Sequence, residues 1–181
     1  MTELYSWGRF PSIAQTPHAV HWRAEIAQSV ADAAQAHGST LPFGNGRSYG
    51  DSCLAASAHV VQLRPLDRLI AADWQSGVIT AEAGITLGEI LRVAIPRGWV
   101  LPVAPGTQFA TLGGAIANDV HGKNHHLRGT FGCHVKRFSL HRRGESEACA
   151  PTGRADLFAA TIGGLGLTGI IEWAEIQLMP I

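Results

Sequence analysis

Glycine is concentrated in three segments of this chain, and this clustering constrains the fold more than any other feature of the sequence. The segments are residues 44–50, 106–132 and 163–169, and the chain holds 21 glycines in 181 residues. Glycine lets the backbone turn sharply and approach a neighbouring group closely. Because only 15% of the residues are charged, we expect these segments to wrap around a ligand or to be covered by another part of a protein.

The charge balance and the cysteines exclude several classes of protein. The 14 basic and 14 acidic side chains give a net charge of zero, whereas binding of nucleic acid needs clustered Lys and Arg. Cys53, Cys133 and Cys149 form no C-x-x-C pair, so we expect neither a disulfide framework nor a cysteine-based zinc site. The sequence shows no signal peptide and no long apolar run, and we expect a cytoplasmic location.

Hydrophobic periodicity predicts a mixed fold. Helices are predicted at residues 22–37, 86–95 and 156–161, and strands at residues 39–43, 60–63, 69–72, 78–81, 99–103, 135–141 and 170–178. Residues 104–132 show little periodicity. A helix with short strands followed by hairpins predicts an α+β fold of two α/β lobes, the second with a mainly antiparallel sheet, and not a doubly wound sheet.

Two nucleotide-binding motifs are excluded by their context. Gly164–Gly169 matches G-x-G-x-x-G, but a Rossmann fingerprint needs a strand before it and a helix after it. Here the predicted order is the reverse. No G-x-x-x-x-G-K-[ST] motif is present either, so P-loop chemistry is not expected.

The segment Gly44–Asp51 has two interpretations. Three glycines in seven positions can aim several backbone amides at an anion, and Arg47 and Ser48 could add a charge and a hydroxyl. The alternative is a tight surface loop whose glycines only satisfy the turn geometry.

The segment from Pro105 to His126 is a second candidate wall of a binding site. Gly113 and Gly114 would let the backbone approach a flat or anionic ligand, with polar groups of Asn118–Lys123 beside it. The alternative is a buried turn with a solvated, histidine-rich tip.

His121, His125 and His126 also suggest a metal site, because histidines four apart on a helix can share a zinc ion. Gly122 and Gly129 disfavour a stable helix there, and we predict no metal ligands. No G-x-S-x-G elbow or Cys–His–Asn arrangement supports a nucleophile.

Four motifs taken together are similar to a known family. They are G-R-S-Y-G-D in residues 46–51, P-G-T followed by T-L-G-G in residues 105–114, N-D-V-H-G-K-N-H-H in residues 118–126, and G-L-T-G-I-I in residues 166–171. In this order they resemble the FAD-binding domain of the vanillyl-alcohol-oxidase/PCMH family. The resemblance runs from about Trp7 to the end of the chain.

The resemblance implies FAD held between the two lobes, which we place at about residues 1–64 and 65–181. The cofactor-binding residues that it implies are Phe43, Gly44, Asn45, Gly46, Arg47, Ser48, Tyr49, Gly50, Asp51, Ser52, Gly106, Thr111, Leu112, Gly113, Gly114, Asn118, Asp119, Val120, His121 and Ile171. His121 and Lys123 are the candidate catalytic residues, because their charge could favour the reduced flavin. The alternatives are that His121 only orients FAD and that Lys123 pairs with Asp119.

The resemblance also implies an activity, the oxidation of a secondary alcohol of a sugar with hydride transfer to flavin N5. It implies a lipid-linked sugar substrate, a role in cell-wall biosynthesis and a short-chain dehydrogenase as a partner, and it leaves membrane-associated and periplasmic locations open. The alternatives are an alditol or aldonolactone oxidase, a metal-dependent hydrolase and a non-catalytic flavin-binding module.

Two departures from the family pattern lead to further expectations. Members that tether FAD covalently often carry G-x-G-H-S in the first loop, and Arg47 occupies the histidine position here. A guanidinium cannot form that bond, so we expect non-covalent FAD. Full-length relatives continue into a substrate domain, and we expect that domain to be absent from this chain, with most substrate contacts lying outside it.

Overall fold

The computed structural model describes residues 3–181, which form ten strands and five α-helices. The strands are β1 (Thr16–Ala19), β2 (Leu41–Phe43), β3 (His59–Gln62), β4 (Leu69–Asp73), β5 (Val78–Glu82), β6 (Trp99–Val100), β7 (Val135–Arg142), β8 (Glu145–Cys149), β9 (Ile170–Gln177) and β10 (Met179–Pro180). The helices are α1 (Ile26–His37), α2 (Leu87–Ala94), α3 (Leu112–Ala117), α4 (His125–Arg128) and α5 (Ala155–Thr161).

The first part of the chain forms a small parallel sheet in the order β1-β3-β2, covered on one face by α1. Burial of Ile26 on α1 with Val20 and Val61 forms a core beneath the helix. The helix ends at Gly38, whose φ of +79° lies in the region that glycine adopts at lowest cost. Because β2 ends at Phe43, its carboxyl end delivers the loop of residues 44–51 to the edge of this sheet.

The rest of the chain builds a five-stranded antiparallel sheet in the order β4-β5-β9-β7-β8. Its central strand β9 is buried at most positions, and α2, α3 and α5 pack against the sheet around Phe138 and Leu112. Phe138 stacks on Phe158 of α5 with ring centroids 5.2 Å apart. A second, two-stranded sheet joins β6 and β10.

Charged side chains connect the parallel sheet and its helix to the five-stranded sheet. Glu82, at the end of β5, is almost completely buried and bonds Arg23 and Arg68 at 3.3 Å and 3.1 Å. Arg64, just after β3, reaches Glu89 on α2 at 2.6 Å and the carbonyl oxygen of Gly84 at 3.3 Å. These contacts hold the carboxyl ends of β3 and β5 beside each other. Because β2 pairs in parallel with β3, loops from both sheets meet along one edge.

The α+β fold with an antiparallel second sheet agrees with the sequence prediction, and a Thr86–Glu89 capping box opens the predicted helix α2. Three kinds of element were not predicted: the short strand β1, the polar edge strand β8, and the helices α3 and α4 within residues 104–132. Gly164–Gly169 follows a helix and precedes a strand, which confirms the exclusion of a Rossmann fingerprint. Within residues 3–181, none of the helices has the length and apolar character of a membrane span.

Candidate functional site: a groove between the two sheets

The glycine-rich segments converge on one groove, which we call the binding groove. Its outer part encloses about 440 Å³ between residues 44–49 and residues 105–111. Its narrower inner part, about 70 Å³, continues past Gly113 to the start of β9 at Ile171. Among the described residues none of those that line the groove is Asp or Glu, whereas Arg47 and His121 line the outer part. The groove therefore suits an elongated, anionic ligand.

The loop after β2 forms one wall of the outer part and is held in place by its neighbours. Asn45 donates its side-chain amide to the carbonyl oxygen of Phe109 at 2.8 Å. The Arg47 guanidinium lies 5.1 Å from the centre of the Trp7 ring and 5.8 Å from that of Phe109, within the range of cation–π attraction. A Cβ atom on Gly44 would overlap the Oγ1 atom of Thr111, so the two walls meet at a point where only glycine fits.

Backbone amides on both walls are available to a ligand. Within the described part of the chain, the amides of residues 44–47 donate to no protein oxygen, and neither do those of Gly106 and Thr107. Gly46 has a φ of +61°, which turns the loop sharply. Successive amides in such a turn can form an anion-binding concavity, and this arrangement fits a phosphate group.

The first amides of α3 are bonded within the protein. The amide of Leu112 donates to the Ile85 carbonyl, that of Gly113 donates to the Ala83 carbonyl, and that of Gly114 is capped by the Thr111 side chain at 3.2 Å. These amides are therefore already satisfied within the protein. Residues 111–114 contribute shape and close backbone approach to the groove, while the free donors come from residues 44–47 and 106–107.

The structure brings most of the predicted cofactor-binding residues together. Those lining the groove are Gly44, Asn45, Gly46, Arg47, Ser48, Tyr49, Ser52, Gly106, Thr111, Gly113, Gly114, Asn118, Val120, His121 and Ile171. Their roles in binding stay predictions.

Six predicted residues lie outside the lining. Phe43 and Leu112 are buried in the core, and Gly50 and Asp51 form a turn at the end of the loop. The carboxylate of Asp119 accepts a hydrogen bond from the Gly132 amide at 2.8 Å. Lys123 is exposed, and among residues 3–181 it forms no ion pair with Asp119.

The inner part is completed by residues that the motif analysis missed. Trp7 lines the outer rim, and Cys53, Ala83, Thr161, Leu165, Gly166 and Gly169 line the inner part. Gly166 has a φ of +79°, and a Cβ atom there would meet the ring of Pro42. The dense glycines of residues 163–169 were the available signal, because they allow this close approach to β2.

The histidines near α4 do not gather at one point. The rings of His121 and His125 lie 5.8 Å apart at 75°, and those of His125 and His126 lie 5.9 Å apart at 88°. In the described chain these three form no group with all ligand atoms within 4.8 Å of one another. The geometry therefore does not favour the hydrolase alternative.

Comparison with known proteins identifies the kind of domain that carries this groove. The family model described as FAD binding domain matches residues 19–147. The chain is 38% identical over 180 residues to decaprenylphosphoryl-beta-D-ribose oxidase of Mycolicibacterium smegmatis, a match that covers 98% of this chain and 39% of that protein. The chain belongs to the FAD-binding domain family.

The chain also matches other proteins, one in sequence and one in fold. A Neurospora crassa protein named "Putative D-arabinono-1,4-lactone oxidase" is 30% identical over 159 residues, covering 87% of this chain and 28% of that protein. Alkyldihydroxyacetonephosphate synthase shares the fold, with a TM-score of 0.80 and 18% identity over 93% of this chain and 32% of the other. The chain thus spans about two-fifths or less of the length of these relatives.

Cys53 offers a direct probe of the groove. Burial raises the pKa of its thiol above the ordinary value, against a smaller lowering by hydrogen bonds from Ser48. The thiolate is the reactive form, so we expect Cys53 to react slowly with a disulfide reagent at pH 7 and faster as the pH rises.

FAD at ten times its Kd should slow that reaction by about tenfold, because only the unbound fraction reacts. The measurement is the rate of thiol modification in a Cys133→Ser background, in which the remaining Cys149 is fully buried. The exposed Cys133, followed in a Cys53→Ser variant, is the control and should be insensitive to FAD. Equal modification of Cys53 with and without FAD would contradict its place in the site.

Proposed function

We propose that this chain is the cofactor-holding part of an FAD-dependent oxidoreductase that oxidises a secondary alcohol of a sugar. The observation that carries the proposal is the convergence of two loops with unused amides on one groove that lacks carboxylates. The sugar follows from the 38% identical relative, whose name specifies a decaprenylphosphoryl ribose. A lipid-linked sugar is accordingly the first substrate to test.

FAD, when bound, supplies the hydride acceptor, its flavin N5 atom, and the protein supplies binding, orientation and electrostatics. We assign the diphosphate to residues 44–47, because these residues line the outer part of the groove and their amides donate to no protein oxygen within residues 3–181. Thr111 and Gly114 form the opposing wall, and Ile171 closes the inner end.

His121 is the better supported of the two candidate catalytic residues. It lines the outer part beside Asn118 and Val120, where a donor can contact the cofactor. Lys123 is exposed and does not line the groove, so its catalytic role has no support from geometry. Most groups that contact the sugar are proposed to lie in a substrate domain outside these 181 residues.

The test of the function is turnover by the full-length protein. The protein is incubated with a decaprenylphosphoryl pentose and, separately, with an aldonolactone and an alditol, and flavin bleaching is followed without oxygen. Bleaching by the lipid-linked sugar alone supports the proposal. Bleaching by the lactone or the alditol alone would favour the second candidate, which rests on the Neurospora crassa relative. FAD binding without bleaching by any of the three would support a non-catalytic module.

We expect FAD to be released intact when the protein is denatured. Arg47 stands where tethering relatives carry histidine, and Cys133, the exposed thiol, does not line the groove. After acid precipitation, yellow colour should appear in the supernatant and co-elute with FAD. Colour retained by the precipitate would contradict non-covalent binding. An Arg47→His variant tests whether the side chain at position 47 alone determines whether FAD becomes covalently attached.

The dehydrogenase partner implied by the resemblance gains no support from the comparisons and is not part of this proposal. The compartment also stays a prediction.

A further inference from the structure

Three histidines that are distant in the sequence meet on one face of the parallel sheet. His18 lies on β1, His59 is the first residue of β3, and His37 is the last residue of α1. The register pairs Thr16 with His59, so His18 and His59 point to the same face, which is the face that α1 covers. The helix places His37 over the same spot.

The three rings are close enough to share one ligand. One nitrogen from each histidine lies within 4.8 Å of the other two. Nε2 of His18 is 3.1 Å from Nδ1 of His59, and the His37 ring stacks on His59 with centroids 3.3 Å apart. In a tetrahedral zinc site with Zn–N bonds of about 2.0–2.1 Å, ligand nitrogens are about 3.3 Å apart. The His18–His59 pair already has that spacing.

The cluster consists of three imidazole rings, and neutral imidazole is the form of histidine that binds a metal. Among the described residues no carboxylate forms an ion pair with these histidines.

We propose that His18, His37 and His59 bind one divalent transition-metal ion, with zinc as the fitting example and water at the fourth position. Imidazole nitrogens suit zinc and its neighbours in the first transition series. Binding needs the His37 ring to turn out of its stack with His59, and the exposure of His37 leaves it room to do so.

The site is separate from the binding groove, and this fixes its expected role. His59 begins β3, whereas residues 44–47 follow the last residue of β2, which is aligned with the end of β3. The two sites therefore lie toward opposite ends of the same parallel strands. A metal ion at the histidines would tie the end of α1 to β1 and β3, and it would stabilise the fold without contact with FAD.

The experiment uses the 181-residue chain prepared without a polyhistidine tag and stripped with a chelator. Titration with zinc chloride, followed by calorimetry, should show one equivalent bound. Cobalt chloride should give the visible bands of tetrahedral Co²⁺. Zinc at a hundred times its Kd should raise the Tm by roughly 5–10 °C, with FAD affinity unchanged.

Two variants and a matched control decide the assignment. His37→Gln and His59→Gln should each weaken zinc binding by about 100-fold or more, because loss of a ligand should cost at least as much as the roughly 10–100-fold caused by loss of an outer-shell partner, while circular dichroism and FAD binding show that they fold. His126→Gln removes an exposed histidine outside the cluster and should bind zinc as the parent does. Unchanged zinc binding in His37→Gln and His59→Gln, binding lost only in His126→Gln, or no bound metal in the parent would overturn the proposal.

Discussion

We expect a Gly84→Ala variant to lose about 3 kcal/mol or more of its free energy of unfolding. A Cβ atom at Gly84 would overlap the carbonyl oxygen of Leu63 and lie 2.5 Å from that of Leu66. Both obstacles are backbone atoms of the segment that links β3 to β4, so neither can move aside as a flexible side chain would. Overpacking of this kind costs typically 1–3 kcal/mol, occasionally more, and two backbone obstacles place this site at the upper end.

Thermal unfolding followed by circular dichroism measures the effect, which corresponds to a fall in Tm of roughly 6–12 °C for a domain of this size. Gly153→Ala is the matched control, because a Cβ atom there meets nothing within 4 Å. It should stay within about 0.5 kcal/mol of the parent. A Gly84→Ala variant as stable as the control would show that Gly84 is not in close contact with the segment between β3 and β4.

The second large effect concerns cofactor affinity. Gly44→Ala should raise the Kd for FAD by about 100-fold, because a methyl group that overlaps the Oγ1 atom of Thr111 must displace the loop that carries the free amides. A displacement of about 1 Å in a positioning loop is enough for an effect of that size. Quenching of flavin fluorescence on titration with the protein measures the Kd.

A double variant separates displacement from a general loss of stability. Thr111→Ala removes the overlapping hydroxyl and weakens the cap of α3, at a cost of about 1 kcal/mol. Combined with Gly44→Ala it should bind FAD more tightly than Gly44→Ala alone, so the two changes are not additive. If the double variant loses as much FAD-binding free energy as the two single variants together, the contact between Gly44 and Thr111 does not set the position of the loop.

Regular elements with a clear hydrophobic period could be predicted from the sequence. The hairpin of β4 and β5, the helix α1 and the central strand β9 all carry such a period, and their turns are marked by glycine. The strand β1 lacks it because Pro17 interrupts four residues of mixed polarity, and β8 lacks it because Glu145–Glu147 are polar on an edge strand. These two strands form because a neighbouring strand pairs with them.

The helix α3 shows why local propensity failed in residues 104–132. Gly113 and Gly114 disfavour a helix by about 1 kcal/mol each relative to alanine. The helix forms because Thr111 caps it and because Gly113 lies against Ala83, where a Cβ atom would come within 2.9 Å of the Ala83 side chain. Tight packing on β5 therefore requires the same glycines that obscure the helix in the sequence.

The candidate site was predictable where a motif is continuous and not where packing alone brings residues together. Residues 44–49 and 111–114 stand out in the sequence, and all of them except Leu112 line the groove. Thr161 and Leu165 have no distinguishing signal, because they reach the groove through the packing of α5. The three histidines of the proposed metal site are likewise separated by 19 and 22 positions along the chain and meet only in the folded protein.

The support of residues 44–49 by the start of the chain affects how a minimal flavin-binding unit should be defined. The backbone of Trp7 donates to the Ser48 carbonyl at 3.0 Å, and Gly46 passes beside the carbonyl of Tyr5. The family match begins at residue 19 and ends at residue 147. It therefore omits Tyr5 and Trp7, which support the loop, and also Ile171 in the inner part of the groove. A protein expressed from residue 19 to residue 147 would lack residues on both sides of the binding groove. Its affinity for FAD would therefore not represent that of the intact protein.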